Sequence, residues 1–246
     1  MYDLPELRSA TDALWAAVRD RLRAGGLAAP HELDRDADYH GPWTAPDLVL
    51  SETCGWPLVT WLDGRVDVVG TFRYDTATAD GATYRSRLVT RIALADRPLT
   101  ELVRRRAAVN HTDSLSGWVS LLRGFGVDGG SWPGSAAVVT GGHAASLAAL
   151  QRGELDVAAV DSVTWDLLGD VRPEATAGLA TVGFGPRIPC LPLITRPGGP
   201  VDALRAALTG AVVDPALQPA LRPLRIVGFE PSGGEFYDPV RMLGPA

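Results

Sequence analysis

The sequence contains no lysine; all 23 of its basic residues are arginine. Alongside 27 glycines, 19 prolines and abundant alanine, that bias reads as genomic base composition rather than chemistry. It still removes one function class. The turn Thr140-Gly141-Gly142-His143 is no P-loop, because it lacks the GK[ST] ending and no lysine exists to supply it. There is no GxSxG. The two cysteines, Cys54 and Cys190, lie far apart and form no CxxC, which argues against a disulfide framework or a zinc site. The four histidines, His31, His40, His111 and His143, include no pair at helical metal-ligand spacing. No metal and no cofactor are therefore expected. No apolar run reaches the length of about 18 residues that a membrane span needs. The opening MYDLPELRSATDALW has neither a basic n-region nor an apolar h-region, so it is not a secretory signal. As given, the chain reads as cytoplasmic, or as periplasmic with an upstream signal removed. Positive charge is scarce too: the net charge is −6. The one compact basic cluster, Arg104-Arg105-Arg106, reads as a solvated helix face, so neither nucleic acid nor an anionic membrane is an expected partner.

What is present is a core and an alternation. The chain is 246 residues long and 46% hydrophobic, enough for one large domain or two small ones. Asp3 and Glu6 are spaced as a capping box ahead of a helix that runs to Gly25-Gly26. No strand precedes that helix, so the chain is read as lacking an opening strand. Residues 28–46 read as irregular. Strands are expected at 47–51, 66–72, 84–94, 107–109, 138–139, 155–160, 179–184, 190–195 and 224–229. Helices are expected at 98–105, 118–125, 144–152, after Asp161, and at 200–209. A Pro/Gly segment separates the strands at 179–184 and 190–195. Strands alternating with helices make an α/β protein with mostly parallel sheets. Two long strands, near 84–94 and 188–196, bracket a compact strand–helix series, which suggests a second domain inserted into the first.

Polar groups collect where strands end and helices begin, the edge at which open α/β sheets bind ligands. Four turns qualify: Tyr2-Asp3, Thr53-Cys54-Gly55-Trp56, Ser114-Leu115-Ser116-Gly117-Trp118 and Thr140-Gly141-Gly142-His143. A helix N-terminus holds an anion through unpaired N–H groups without any arginine. Ser114, Ser116 and Thr140 add hydroxyls, and His143 can donate from either nitrogen. Each residue also has a plainer explanation. Ser114 and Ser116 are good helix caps, His143 is a common turn residue, and Asp161 suits an N-cap. Tyr74, Tyr84 and Trp56 are of types more often packed than ligand-facing. A Cys54–His143–Asp161 set, with the thiol as nucleophile, is a weaker alternative, since buried cysteines are usually inert.

NHTDSLSGW at 110–118, TGGHAASLAALQRGELDVAAVD at 140–161 and TYRSRLVTR at 83–91 resemble the phosphonate/phosphate-binding family of ABC-transporter solute-binding proteins. The DS-x-SG turn, the later TG-x-H-xx-S and then G-x-x-D-x-A-x-x-D carry the resemblance as a set. It extends from MYD at the start to about Thr195. It implies a two-lobed type II periplasmic-binding-protein clamshell, each lobe a mixed, mostly parallel sheet flanked by helices, with two hinge strands. The first lobe would be 1–86 plus 192–246, and the inserted second lobe 87–191. The resemblance implies a non-catalytic protein that closes on a small anionic ligand, with an ABC transporter permease as a possible partner. Ser114, Ser116, Gly117, Thr140, Gly141 and His143 would cradle the anionic head, Asp161 would lie near the ligand's other end, and Tyr2, Trp56 and Tyr74 would come from the first lobe. An enzyme or ligand sensor on the same scaffold, using Cys54 or His143, is the alternative.

Overall fold

The computed structural model describes residues 2–36 and 40–244. Met1 and residues 37–39 of the stretch expected to be irregular lie outside them. In chain order the elements are α1 (Arg8–Ala24), β1 (Ser51–Glu52), α2 (Gly55–Val59), β2 (Asp67–Tyr74), β3 (Thr83–Arg91), α3 (Leu99–Leu102), β4 (Ala107–Val109), α4 (Ser120–Gly124), β5 (Ala137–Val139), α5 (His143–Gln151), β6 (Val157–Val160), α6 (Ser162–Val171), β7 (Leu179–Pro189), β8 (Pro192–Thr195), α7 (Val201–Val212) and β9 (Ile226–Pro231). The chain divides into two compact units, Met1–Asp75 with Pro189–Asp238 and Thr76–Ile188 with Pro239–Ala246. It is an α/β protein.

The first unit holds a four-stranded sheet in the order β1-β8-β2-β9. β2 runs antiparallel to both β8 and β9, and β1 antiparallel to β8. The mostly parallel pairing expected here is therefore not found. β8, α7 and β9 do form a crossover between strands of like direction, but β2 is inserted between them and converts each contact to an antiparallel one. α1 packs on α7, with Trp15, Val18 and Leu22 of one helix and Leu204, Leu208 and Ala211 of the other buried. Asp3 does not cap α1. Leu4 stands at the cap position, and Pro5 opens a short 3-10 turn over Pro5–Leu7 instead, where its fixed φ suits a first helical position. The Asp3 carboxylate accepts from Arg35 Nε at 2.6 Å and Thr11 Oγ1 at 2.6 Å.

The second unit holds five strands in the order β5-β4-β6-β3-β7. β4 is parallel to both β5 and β6, while β3 runs antiparallel to β6. The core between this sheet and its helices includes Leu88, Leu102, Val109, Leu121, Leu122 and Val157. Two expectations need correcting. β3 stops at Arg91, and Ile92–Leu94 turn as a 3-10 helix with Ile92 largely exposed. The expected break after Phe184 is absent, because β7 runs on through Gly185 and Pro186 to Pro189. At the edge of a sheet, proline's missing donor costs no ladder bond. Gly185 packs closely there: a Cβ on it would come 3.0 Å from the Ser120 Cβ.

Candidate functional site

β4 and β5 lie side by side in the same direction, so the turns that follow them leave the same edge of the sheet. Those turns carry the Ser-rich and His-containing segments. Backbone bonds join them directly: Thr140 N donates to Val109 O at 2.8 Å and Gly141 N to Asn110 O at 3.0 Å. His111 Nε2 lies 3.1 Å from Gly141 O. Gly141 turns the chain with φ at +86°, a conformation that favours glycine.

The Ser-rich turn winds wide before it tightens. Val119 N bonds Ser114 O at 3.0 Å, an i to i+5 closure, and Leu115–Val119 form one π turn that runs into α4. Such turns often accompany function. Ser114 caps this helix, accepting from Gly117 N at 2.9 Å. Ser116 Oγ then lies 3.0 Å from His143 Nε2 at the start of α5. The Asn110 amide joins both segments, its Nδ2 donating to Ser114 Oγ at 2.9 Å and lying 3.4 Å from His143 Nε2. Ser114, Ser116, Gly117 and Asn110 are all buried. Burial lowers the His143 pKa from its ordinary value by disfavouring the imidazolium; the Asp161 carboxylate works against that shift, and His111 adds to it.

Ser114, Ser116, Gly117, Gly141 and His143 are thus brought together. Thr140 joins them through its backbone, but its hydroxyl turns to Ser146 Oγ at 2.7 Å and Val109 O at 3.1 Å. Asp161, 2% exposed, caps α6 by accepting from Thr164 N at 2.9 Å and accepts from the Tyr84 hydroxyl. In the first unit, the Tyr2 and Tyr74 rings meet edge to face at 5.2 Å, and the Tyr74 hydroxyl donates to Glu52 Oε1 at 3.3 Å. Trp56 lies half-buried on α2. Cys54 and Cys190 are buried and form no disulfide, and Cys54, at 1% exposure, presents no accessible nucleophile. Among the described residues no cluster of His, Cys, Asp and Glu could hold a metal.

Asn110 is the member that sequence reasoning missed. It stands first in the polar turn after β4, where an asparagine is ordinary turn chemistry. The available signal was its position immediately after a buried strand and four residues before the first serine.

A family model described as ABC transporter, phosphonate, periplasmic substrate-binding protein matches residues 47–237. No curated protein matches the chain. Among solved structures, it is similar to PhnD1 from Prochlorococcus marinus in complex with methylphosphonate, at 15% identity and TM-score 0.74, covering 96% of this chain and 92% of that one. A binding-protein component of an ABC phosphonate transporter from Pseudomonas aeruginosa is similar at 17% identity and TM-score 0.73, covering 94% and 80%. A Xanthomonas citri protein solved with ATP is similar at 20% identity and TM-score 0.69, covering 96% and 94%. At these identities the structural likeness establishes the fold.

Proposed function

The chain belongs to the family of phosphonate-binding periplasmic substrate-binding proteins of ABC transporters, and from that premise we propose that it takes a phosphonate or a closely related oxyanion at the paired turns after β4 and β5. The observation that carries the proposal is the 3.0 Å approach of Ser116 Oγ to His143 Nε2. It places two polar groups from different strand ends at one spot, beside a helix whose first amides favour negative charge. Ser114, Ser116, Gly117 and His143 hold the head group in this reading, with Thr140 and Gly141 shaping the turn. Asp161 is kept as the group toward the ligand's other end, and Tyr2, Trp56 and Tyr74 as the first unit's contributions. Hinge closure over the ligand, delivery to a permease and a periplasmic location complete the proposal. Among the described residues, no helix is long and apolar enough to cross a membrane.

The family is one of substrate-binding proteins rather than enzymes, and the burial of Cys54 supports the same reading here. The test is a thermal-shift panel of phosphate, phosphite, methylphosphonate, sulfate and simple carboxylates. A ligand at about 100 times its dissociation constant stabilises the fold by roughly 2.7 kcal/mol. A phosphorus oxyanion is expected to give that shift. Ser116→Ala is expected to weaken its binding by about 1–2 kcal/mol, roughly tenfold in dissociation constant. No shift with any phosphorus oxyanion would remove the proposal.

A further inference from the structure

Arg35 grips the Asp3 carboxylate as a fork. Its Nε donates to Oδ2 at 2.6 Å and its Nη2 to Oδ1 at 3.1 Å, a two-point geometry that a planar guanidinium makes and an ammonium does not. The same guanidinium reaches α1 twice. Nη1 lies 2.8 Å from Asp12 Oδ1, and Nη2 donates to Thr11 Oγ1 at 3.0 Å. Thr11 Oγ1 in turn donates to Asp3 Oδ1 at 2.6 Å. Arg8 adds a looser charge, its Nε 3.8 Å from Asp3 Oδ2. Arg8, Thr11 and Asp12 all stand on α1, whereas Arg35 arrives from the irregular stretch beyond it. Burial alone would raise the Asp3 pKa, but the bonds from Arg35 and Thr11 outweigh it and hold the carboxyl below the ordinary aspartate value. The fork is therefore fully charged at neutral pH.

The residue next to this fork is Tyr2. Among the described residues no strand precedes α1, so no ladder sets the direction of the chain at Tyr2. Its ring meets Tyr74 edge to face at 5.2 Å. Tyr74 continues into a row of rings, 6.3 Å from Phe72, which lies 6.0 Å from Phe229. One edge-to-face contact is of the same order as the freedom lost in fixing the backbone of a single residue. Ring packing alone therefore holds Tyr2 only marginally. A second fixed point one residue away, tied to α1 and to the stretch beyond it, removes most of the remaining freedom.

We propose that Arg35 is a positioning residue for ligand binding: its fork on Asp3 does the work of an opening strand and sets Tyr2 in the orientation that the first unit offers to the ligand. The inference rests on the phosphonate-binding reading above, with Tyr2 among the first unit's contributions. Arg35 itself touches no ligand in this scheme. Without the fork Tyr2 samples several orientations, and the ordering is charged against binding. A positive charge also draws an anion from a distance, but that attraction acts whether or not Tyr2 is present.

The test is calorimetric titration of the full chain with methylphosphonate, in the wild type, Arg35→Met, Arg35→Lys, Asp3→Ala, Tyr2→Ala and the Arg35→Met/Tyr2→Ala double variant. A thermal melt of each checks that it is folded at the titration temperature. Tyr2→Ala is expected to weaken binding by about tenfold. Arg35→Met is expected to weaken it by about fivefold when Tyr2 is present and by less than about twofold when Tyr2 is replaced. Arg35→Lys keeps the charge but not the fork, and its affinity is expected to fall with that of Arg35→Met. Asp3→Ala breaks the fork from its other side and carries the test should an Arg35 variant not fold. Losing a negative charge would by long-range attraction alone tighten anion binding, whereas a loss of about fivefold is expected. Equal losses from Arg35→Met with and without Tyr2, wild-type affinity in Arg35→Lys, unchanged or tighter binding in Asp3→Ala, or wild-type affinity in Tyr2→Ala would each overturn the inference while leaving phosphonate binding in place. Failure of the wild type to bind methylphosphonate, phosphite or phosphate would overturn the phosphonate reading and this inference with it.

Discussion

Gly117→Ala is expected to abolish oxyanion binding, weakening it by more than about hundredfold, and to lower stability by roughly 1–3 kcal/mol, the usual cost of forcing an atom into a packed interior. The added methyl would stand 1.7 Å from Asn110 Oδ1, 2.7 Å from its Cγ and 3.1 Å from Ser114 Oγ. No rotamer of an alanine avoids this, since the Cβ position is fixed by the backbone. The Asn110 amide must swing away, and with it go its bonds to Ser114 and its approach to His143. Both turns of the site are then altered by one carbon atom. Gly142→Ala is the control. Its backbone is extended, with φ at 177°, and a Cβ there has nothing within 4 Å. That variant is expected to keep wild-type stability within about 0.5 kcal/mol. Thermal melts and titration of both variants with methylphosphonate make the comparison. A Gly117→Ala protein that binds like wild type would show that the Asn110–Gly117 contact is not needed by the site.

The second large effect lies at the opposite end of the β6 strand. Asp156 is 6% exposed and accepts from Arg91 Nη2 at 2.7 Å and Arg106 Nε at 3.1 Å. Arg91 also reaches Leu150 O and Leu155 O, and Arg106 reaches Gly153 O. One carboxylate thus gathers β3, the segment before β4 and the turn from α5 to β6. Asp156→Ala would leave two guanidinium groups without their anion and is expected to destabilise by roughly 2–3 kcal/mol. That lies at or just below the range of about 3–5 kcal/mol for a broken buried pair, because Arg106 is nearly half exposed.

The pH dependence of Asp156 has a definite sign. Burial alone would raise its pKa, but the bonds from Arg106 and Arg91 outweigh burial and hold it below the ordinary aspartate value. A depressed folded pKa stabilises fully above the unfolded value, and the stabilisation is lost as pH falls through the folded one. The gap between wild type and Asp156→Asn should therefore be constant above about pH 5 and shrink below about pH 4. Chemical denaturation across that range measures it. A gap that is absent at neutral pH would mean that the pairs contribute nothing net.

Much of this was legible before any coordinates. The short apolar runs at 107–109 and 155–160, each closed by a polar turn, gave the parallel strands and the edge where the site stands. What could not be read was pairing. Nothing in the residues of β2 says that it lies between β8 and β9, because that position is decided by how α7 returns the chain. The capping box at Asp3 and Glu6 had the right spacing, but Pro5 between them changes the entry turn, and Arg35 from well along the chain takes the carboxylate. Pro186 looked like a break and is an edge-strand residue. At the site, the two segments were visible as separate turns. The amide that joins them was not, since its role depends on a contact with the Cα of Gly117 that only close packing creates.

The strand that delivers His143 is three residues long, lies at the edge of its sheet and is exposed at all three positions. It is laddered to β4 alone, so its backbone amides should open by local fluctuation well before the buried amides of β4 and β6. In hydrogen–deuterium exchange, Val138 through Gly142 should lose protection early and independently of global unfolding. A ligand held by His143 would close that opening, and the slowed exchange would be concentrated on this edge. With a ligand held there, the half of the site that rides on β5 would gain much of its order from binding, whereas the half behind β4 would gain little.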